Sequence, residues 1–295
     1  MSDSLAAFYD QTELTLSFEL FPPKTETGEA ALMRHVTRLM EFGPKFITCT
    51  YGAGGSTQAK TLGVIREVQQ RFQIPVASHL TCVGLDQDEL RAYLSQASAQ
   101  GVDYIVALRG DPPQGEDEFQ PVAGGLRYAN ELVALIRAEF PQFGIAVGGY
   151  PEVHREAPSA EADLDNLKRK VDAGADLIIT QLFYDNELFL RFRDRCAQAQ
   201  INVPVVPGLL PVTSLKQIQR ITSLCGASLP DDFVDQLGKR EDAEWQLQVG
   251  VAQMAAQARG LMDAGVPGIH FYVLNKSEAT CRVLAELDHA GATSS

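Results

Sequence analysis

One carboxylate stands in a setting that favours acid chemistry. Glu19 lies between Phe18 and Leu20, and the segment 21–23 (FPP) follows. Removing a carboxyl group from water makes its ionised form less stable, so its pKa rises and it holds a proton that it can donate. The sequence therefore favours Glu19 as a general acid. An outward-facing glutamate on a strand is the alternative that the same residues allow.

A second pair of charged residues follows an apolar run. Arg109 and Asp111 are separated by Gly110, and Pro112 comes next. Glycine permits close approach of the backbone to a ligand, and proline ends a strand because it has no backbone N–H to donate. The pattern fits a ligand site and fits a structural ion pair equally well.

Two segments have features of phosphate binding. The glycine-rich segment 51–57 (YGAGGST) leads into a helical pattern, but it matches neither the dinucleotide fingerprint nor the P-loop. In the helical segment 163–170, the apolar side faces the core and leaves Asn166, Arg169 and Lys170 on another side. Two cations there could meet a diphosphate, and a solvated basic face is the alternative.

Metal and nucleophile chemistry find little support. His79 and His154 have no metal-ligand motif around them, and no serine or cysteine stands in a nucleophile elbow. The five cysteines are far apart, which disfavours a disulfide framework and a zinc site. A chain with many polar groups but neither a metal site nor an activated nucleophile is expected to use an organic cofactor.

The elements that must position these residues alternate between strand and helix. Apolar, β-branched runs predict eight strands, at 14–20, 46–50, 76–81, 104–108, 145–150, 177–183, 203–209 and 269–273. Helical periodicity lies between them, and the steps of roughly 30 residues fit βα units. We predict an α/β fold, a (β/α)8 TIM barrel with one or two extra helices in 223–265, before the last strand. An open doubly wound sheet is the alternative.

The barrel prediction gathers the polar residues at one rim. In such barrels the chemistry lies at the carboxyl ends of the strands, and polar residues follow nearly every predicted strand here. The rim residues expected from this rule are Glu19, Thr48, Thr50, His79, Arg109, Asp111, Tyr150, Glu152, Gln181, Tyr272 and Asn275.

Composition narrows the class of protein. The chain has 295 residues, and 25 Lys and Arg against 38 Asp and Glu give a formal net charge of −13. A general attraction for nucleic acid or anionic lipid is therefore not expected. No signal segment or long apolar run is present, so we expect a cytoplasmic protein. Residues 1–295 are expected to form a single catalytic barrel, with about 12 residues at the start and 8 at the end flexible.

Together, the motifs resemble those of the methylenetetrahydrofolate reductase family, in its bacterial form with a catalytic domain alone. Nine blocks carry the resemblance, in family order over about residues 14 to 280: 17–24 (SFELFPPK), 50–56 (TYGAGGS), 79–82 (HLTC), 108–112 (LRGDP), 149–154 (GYPEVH), 167–175 (LKRKVDAGA), 180–185 (TQLFYD), 207–211 (PGLLP) and 270–276 (HFYVLNK). Several blocks in register are far more specific than any one alone.

The resemblance implies a flavoprotein. It implies reduction of 5,10-methylenetetrahydrofolate to 5-methyltetrahydrofolate, with non-covalent FAD and with NADH or NADPH as electron donor, the two substrates alternating in one site. Glu19 would be the general acid and Asp111 a carboxylate beside flavin and folate. The positions matching FAD contacts are Thr50, Tyr51, Ala53, His79, Arg109, Gly110, Asp111, Ala129, Tyr150, His154, Ala157, Asp163, Asn166, Arg169 and Lys170, and those shared by folate or nicotinamide are Gln181, Gln217 and Lys276.

The resemblance also implies a homo-oligomer, with NADH the donor in bacterial relatives. Three departures from the family pattern alter these expectations. Lys276 replaces an arginine, so a point charge replaces a bidentate contact, and Leu182 and Tyr184 replace phenylalanines. The chain leaves no room for a regulatory domain, so control by adenosylmethionine is not expected. A pterin and corrinoid methyltransferase barrel and a barrel that holds FAD without catalysis are the competing hypotheses.

Overall fold

The parallel strands of the computed structural model form one barrel. The structure describes residues 4–10, 13–23, 25–51, 58–112, 115 and 118–292. The strands are β1 (Thr15–Leu20), β2 (Phe46–Cys49), β3 (Val76–Thr81), β4 (Tyr104–Leu108), β5 (Gly144–Gly149), β6 (Leu177–Thr180), β7 (Val205–Val206), β8 (Gly208–Leu209) and β9 (Gly268–Tyr272). Their order is β7-β6-β5-β4-β3-β2-β1-β9-β8, and every pairing is parallel.

The two ends of this sheet meet at one proline. β7 and β8 lie on either side of Pro207, which has no N–H for the ladder, so the predicted seventh strand appears as two short ones. β7 pairs with β6 and β8 pairs with β9, which brings the sheet round into a nearly closed barrel. The predicted α/β barrel is confirmed, and the open doubly wound sheet is wrong. The sixth strand ends at Thr180, whereas the sequence predicted a strand over 177–183.

Helices follow the strands along the chain. They are α1 (Glu26–Met40), α2 (Gln58–Phe72), α3 (Gln87–Ala99), α4 (Ala129–Glu139), α5 (Ala160–Asp172), α6 (Asn186–Gln198), α7 (Leu215–Cys225), α8 (Asp231–Gly238), α9 (Ala243–Asp263) and α10 (Ser277–Ala292). The extra helices expected before the last strand are α8 and α9. No helix in the described ranges combines the length and the apolar character that crossing a bilayer requires.

Alternation along the strands separates two apolar layers. Ile47, Ile105 and Ile178 belong to the large core between strands and helices, whereas neighbours such as Phe46 and Val106 belong to a smaller cluster inside the barrel. Because side chains alternate along a strand, the same rule directs Glu19 inward, since Phe18 and Leu20 both belong to the outer core.

A short 3-10 helix, Leu5–Tyr9, closes the floor of the barrel. Leu5 is fully buried, and both ends of the helix reach the first residues of strands, Gly144 of β5 and Gly268 of β9. This helix lies within the N-terminal stretch expected to be flexible, and its Leu5 and Tyr9 pack in the inner cluster. At the other end of the chain, α10 extends to Ala292, into the stretch expected to be flexible.

Candidate functional site

The centre of the barrel mouth holds Glu19 and His79. His79 Nε2 lies 3.4 Å from Glu19 Oε2, and the two residues are 7% and 8% exposed. Burial raises the pKa of Glu19 to about 8 and lowers the pKa of His79 to about 3. Each group loses its water without gaining a charged partner, so both are neutral near pH 7. The contact is therefore between a protonated carboxyl and a neutral imidazole, not an ion pair.

Polar side chains of neighbouring strands surround this pair. Glu19 is in register with Thr48 on β2 and with Tyr272 on β9. The Thr48 hydroxyl is buried and has no hydrogen-bond partner among the described residues. One layer deeper, Ser17 Oγ lies 2.8 Å from His270 Nδ1, and burial lowers the pKa of His270 to about 3. The layer beneath the acid is therefore polar but uncharged.

Tyr272 spans the mouth toward β6. Its hydroxyl donates a 2.7 Å hydrogen bond to the Thr180 carbonyl, and Gly208 gives the ring its space, since a Cβ there would fall within 2.7 Å of the ring. Gln181 follows immediately, with its backbone N–H bonded to the Gly149 carbonyl at 2.8 Å. Its Oε1 accepts a hydrogen bond from the Leu182 N–H at 2.9 Å. Its amide NH₂ has no hydrogen-bond acceptor in the described part of the chain. Gln181 is therefore fixed at the rim beside Tyr272.

Arg109 forms a different ion pair from the one considered. Its guanidinium binds Glu156 through both terminal nitrogens, at 2.5 and 2.7 Å, and lies 5.3 Å from the centre of the Phe119 ring. Asp111 is exposed, and its charge contributes to raising the pKa of Arg109 after the larger effects of Glu156. The structural pairing of Arg109 with Asp111 is therefore wrong. Gly110 has φ +89°, and a Cβ there would collide with Val83.

A cationic and aromatic corner lies beside Arg109. The Tyr150 and His154 rings meet edge to face at 4.6 Å, and the backbone N–H of His154 donates to Asp163 Oδ2 at 3.1 Å. Lys170 Nζ donates to the Gly148 carbonyl at 2.5 Å and lies 5.9 Å from the centre of the Tyr150 ring. Burial lowers the pKa of Lys170 to about 8, an effect that the Asp163 charge opposes.

The remaining predicted cofactor positions lie on α5, at the start of α4 and in loops. Asn166 and Arg169 are exposed on α5, Ala129 is the first residue of α4, and the Ala157 N–H bonds to the His154 carbonyl at 2.9 Å. Ala53 lies outside the described residues, as does most of the glycine-rich segment. Two others sit at the end of β2: the Thr50 N–H bonds to the Leu20 carbonyl, whereas the Tyr51 ring packs on Tyr93 of α3, 5.4 Å away, in the outer core.

The predicted substrate residues Gln217 and Lys276 line one pocket. Tyr272 forms part of its wall. Gln217 Oε1 accepts from the Thr213 hydroxyl at 2.7 Å, and Lys276 is exposed at the rim. Gln181 is not part of this lining, so the structure places two of the three predicted substrate residues in the pocket and the third across Tyr272.

The corner around Lys170 fits a diphosphate group. In the described part of the chain, no carboxylate oxygen lies within 4.0 Å of Lys170 Nζ, although burial has removed much of its water. An anion would restore the lost stabilisation, and Arg169 on the same helix would add a second charge. The donor set therefore fits a dinucleotide such as FAD. No cluster of three metal-ligating side chains occurs within the described ranges.

Glu156 and Phe119 are site residues that sequence reasoning missed. They hold Arg109 from two sides, but they stand 47 and 10 positions away in the sequence, in loops without periodicity. A carboxylate close to the GYPEVH block was the only available signal for Glu156. It could not be distinguished from the other acidic residues of that loop.

Comparison with known proteins assigns the family. The sequence model of the methylenetetrahydrofolate reductase family matches residues 4–288. The 5,10-methylenetetrahydrofolate reductase of Escherichia coli is 41% identical over 278 residues, which cover 93% of this chain and 92% of that protein. The chain belongs to the methylenetetrahydrofolate reductase family. The predicted resemblance is confirmed, and with it the prediction of an oxidoreductase.

Other relatives differ in length or share only the fold. Methylenetetrahydrofolate reductase (NADH) 1 of Zea mays is 39% identical over 282 residues. The match covers 92% of this chain but only 48% of the plant protein. A solved protein of Clostridium thermocellum, described as binding two copies of 5-methyl-5,6,7,8-tetrahydrofolic acid, has a TM-score of 0.64 at 17% identity, covering 97% of this chain and 98% of that one. That similarity shows the barrel fold alone.

Proposed function

We propose that this chain reduces 5,10-methylenetetrahydrofolate to 5-methyltetrahydrofolate, with non-covalent FAD and with NADH or NADPH as donor. The observation that carries the proposal is the buried carboxyl of Glu19, which burial keeps protonated up to about pH 8 at the centre of the mouth. Family membership supplies the reaction, and NADH stands in the name of the maize relative.

Residues that follow β4 and β5, together with residues of α5, would hold the cofactor. Lys170 and Arg169 would bind the diphosphate, and Arg109, Tyr150 and His154 would line the neighbouring part of the site. FAD held there would supply hydride transfer between the reduced nicotinamide and the folate. The two substrates would then bind in turn, with Gln181, Gln217 and Lys276 serving both.

Glu19 would open the folate ring. It would transfer its proton to the folate nitrogen that leaves when the five-membered ring opens to an iminium ion, and its own O–H bond would break as the N–H bond forms. The resulting carboxylate would face a neutral His79, which can donate an N–H bond to it. Asp111 would favour the cationic folate electrostatically. A cytoplasmic homo-oligomer remains our expectation for the assembly.

Absorbance of the purified protein tests this proposal. We expect a flavin spectrum that bleaches under anaerobic NADH or NADPH and recovers on addition of methylenetetrahydrofolate, with 5-methyltetrahydrofolate as the product. A corrinoid spectrum would favour the methyltransferase hypothesis. A flavin that no reduced nicotinamide bleaches would indicate a barrel that binds FAD without catalysis.

A further inference from the structure

Asn275 is a polar residue of the rim to which the reaction proposed above gives no role. It stands in the four-residue turn 273–276 between β9 and α10, which the Lys276 N–H closes by bonding to the Val273 carbonyl at 2.8 Å. The two central residues, Leu274 and Asn275, have φ of +47° and +56°. Asparagine tolerates this left-handed region, whereas leucine rarely adopts it. A turn that contains such a leucine must be held by the contacts around it.

The Asn275 side chain supplies one such contact, because it binds both polar atoms of the Phe21 backbone. Asn275 Oδ1 accepts a hydrogen bond from the Phe21 N–H at 2.9 Å, and Asn275 Nδ2 donates one to the Phe21 carbonyl at 2.7 Å. A side-chain amide matches this pair because it carries one acceptor and one donor side by side. We call these two hydrogen bonds the Asn275 clamp.

The Asn275 clamp lies just beyond the paired part of β1. In the ladder between β1 and β9 the last pair in register is Glu19 with Tyr272, and β1 ends at Leu20. The clamp therefore continues the connection between the two strand ends after the ladder has stopped. Because Phe21 is only two residues from Glu19, holding its backbone limits the movement of the strand end that carries the acid.

The turn that carries the clamp also forms part of the pocket wall. Leu274 and Lys276, on either side of Asn275, line the pocket together with Tyr272. One short turn thus joins the end of β1 to residues proposed to bind substrate. A shift of the acid relative to the pocket would change the distance over which its proton must pass, and proton transfer depends strongly on that distance.

We propose that Asn275 is a positioning residue for folate reduction, whose clamp on Phe21 holds the Glu19 carboxyl in place beside the pocket. This inference rests on the proposed function and adds a residue to it. Asn275 acts through the backbone of β1 and not through contact with the reacting atoms. A strand end held in this way also limits the access of water to Glu19, which is 8% exposed.

Anaerobic stopped-flow absorbance of Asn275→Gly tests this role. Glycine adopts positive φ readily, so the turn is retained while the clamp is lost. At saturating substrates, the reduced nicotinamide should reduce the flavin at the wild-type rate, whereas reoxidation by methylenetetrahydrofolate should be roughly tenfold slower. The loss is smaller than that expected for removal of the Glu19 proton, because the acid is displaced and not removed.

The pH dependence of reoxidation gives a second readout, which a general loss of stability would not change. In the wild type the rate should fall as the pH rises past about 8, where Glu19 loses its proton. Water that enters beside a loosened β1 stabilises the carboxylate and lowers its pKa, so the fall in Asn275→Gly should begin at lower pH. The titratable groups that interact with Glu19 within the described ranges are His79, Tyr272 and Cys49. The substitution alters none of them and leaves the net charge unchanged.

Gln200→Gly is the matched control. Gln200 also has a positive φ, +58°, but it is exposed between α6 and β7, at the end of the barrel where the strands begin. It should leave both half-reactions and the pH profile unchanged. Asn275→Asp keeps the size of the side chain but cannot donate to the Phe21 carbonyl when ionised. It should show the same selective slowing, and it provides the test if Asn275→Gly does not fold.

Three results would overturn the inference: a wild-type reoxidation rate and pH profile in Asn275→Gly, equal slowing of the two half-reactions, or the same change in Gln200→Gly. A different result would count against the proposed function itself. If methylenetetrahydrofolate does not reoxidise the flavin of the wild type, that function fails, and the role of Asn275 with it.

Discussion

The protonated state of Glu19 has a single physical cause. Burial raises its pKa from an ordinary value of 4.5 to about 8, and the neutral imidazole of His79 provides no charge to reverse the shift. An arginine or lysine in the place of His79 would stabilise the carboxylate and abolish the acid. The identity of one neighbouring residue thus decides whether this carboxyl group can donate a proton at physiological pH.

The same burial makes the stability of the protein depend on pH. The unfolded chain releases the Glu19 proton near pH 4.5, whereas the folded chain keeps it to about pH 8, so rising pH favours unfolding across this window. Glu19→Gln removes the effect. We expect the free energy of unfolding of Glu19→Gln, relative to that of the wild type, to increase by about a few kcal/mol as the pH rises from 5 to 8.

Urea unfolding at pH 5, 6.5 and 8 measures this gain. Glu67→Gln is the control, because it makes the same substitution at an exposed position on α2. A constant difference for Glu19→Gln would show that the folded carboxyl group titrates normally.

At the scale of the elements, α5 supplies the cations of the proposed diphosphate site. Lys168, Arg169 and Lys170 are consecutive but differ in their surroundings: Lys168 binds Asp172 at 2.9 Å, Arg169 is exposed, and Lys170 lies against the Tyr150 ring. Helical geometry therefore distinguishes three neighbouring cations, and only the last two are expected to bind FAD.

Arg169→Ala/Lys170→Ala should release much of the flavin. Each charge-assisted contact contributes on the order of 1.5 to 3 kcal/mol, so the dissociation constant of FAD should rise by at least tenfold. Fluorescence of released flavin measures it. Lys168→Ala, on the same helix, should retain FAD as the wild type does, and full retention by the double variant would refute this placement.

The strand junction at Pro207 positions Tyr272. Gly208 begins β8, and its missing side chain leaves room for the Tyr272 ring and for the Thr180 carbonyl that the tyrosine binds. Gly208→Ala should displace the ring and lower the free energy of unfolding by about 1–3 kcal/mol. Thermal or urea unfolding tests this. Gly63→Ala is the control, because a Cβ at this helical position meets nothing within 4 Å and should be neutral or stabilising.

At the scale of the whole molecule, local patterns predicted the barrel because each βα unit must bury its own apolar face. The same alternation that predicted β1 also directs Glu19 inward, so the position of this carboxyl group inside the barrel follows from three adjacent residues. The floor of the barrel could not, because Leu5–Tyr9 spans five residues and shows no periodicity. Nor could the Arg109 and Glu156 pair, since only the assembled loops bring them together.

The whole barrel is needed for the central claim, that one mouth carries out two half-reactions and that Glu19 acts in only one. The corner around Lys170 lies beside Tyr150 at the end of β5, the pocket includes Tyr272 at the end of β9, and Glu19 is in register with Tyr272 on the neighbouring β1. A group at the mouth that these regions share could affect both half-reactions, so only separate measurement of the half-reactions assigns it a role.

Anaerobic stopped-flow absorbance of the wild type and Glu19→Gln tests this claim most directly. NADH should reduce the bound flavin at similar rates in both proteins, because that step needs no proton from Glu19. Reoxidation by methylenetetrahydrofolate should be slower in Glu19→Gln by roughly 10² to 10⁴, the usual contribution of a general acid. Equal slowing of both half-reactions, or none in either, would contradict the assignment of Glu19 as the acid that activates folate.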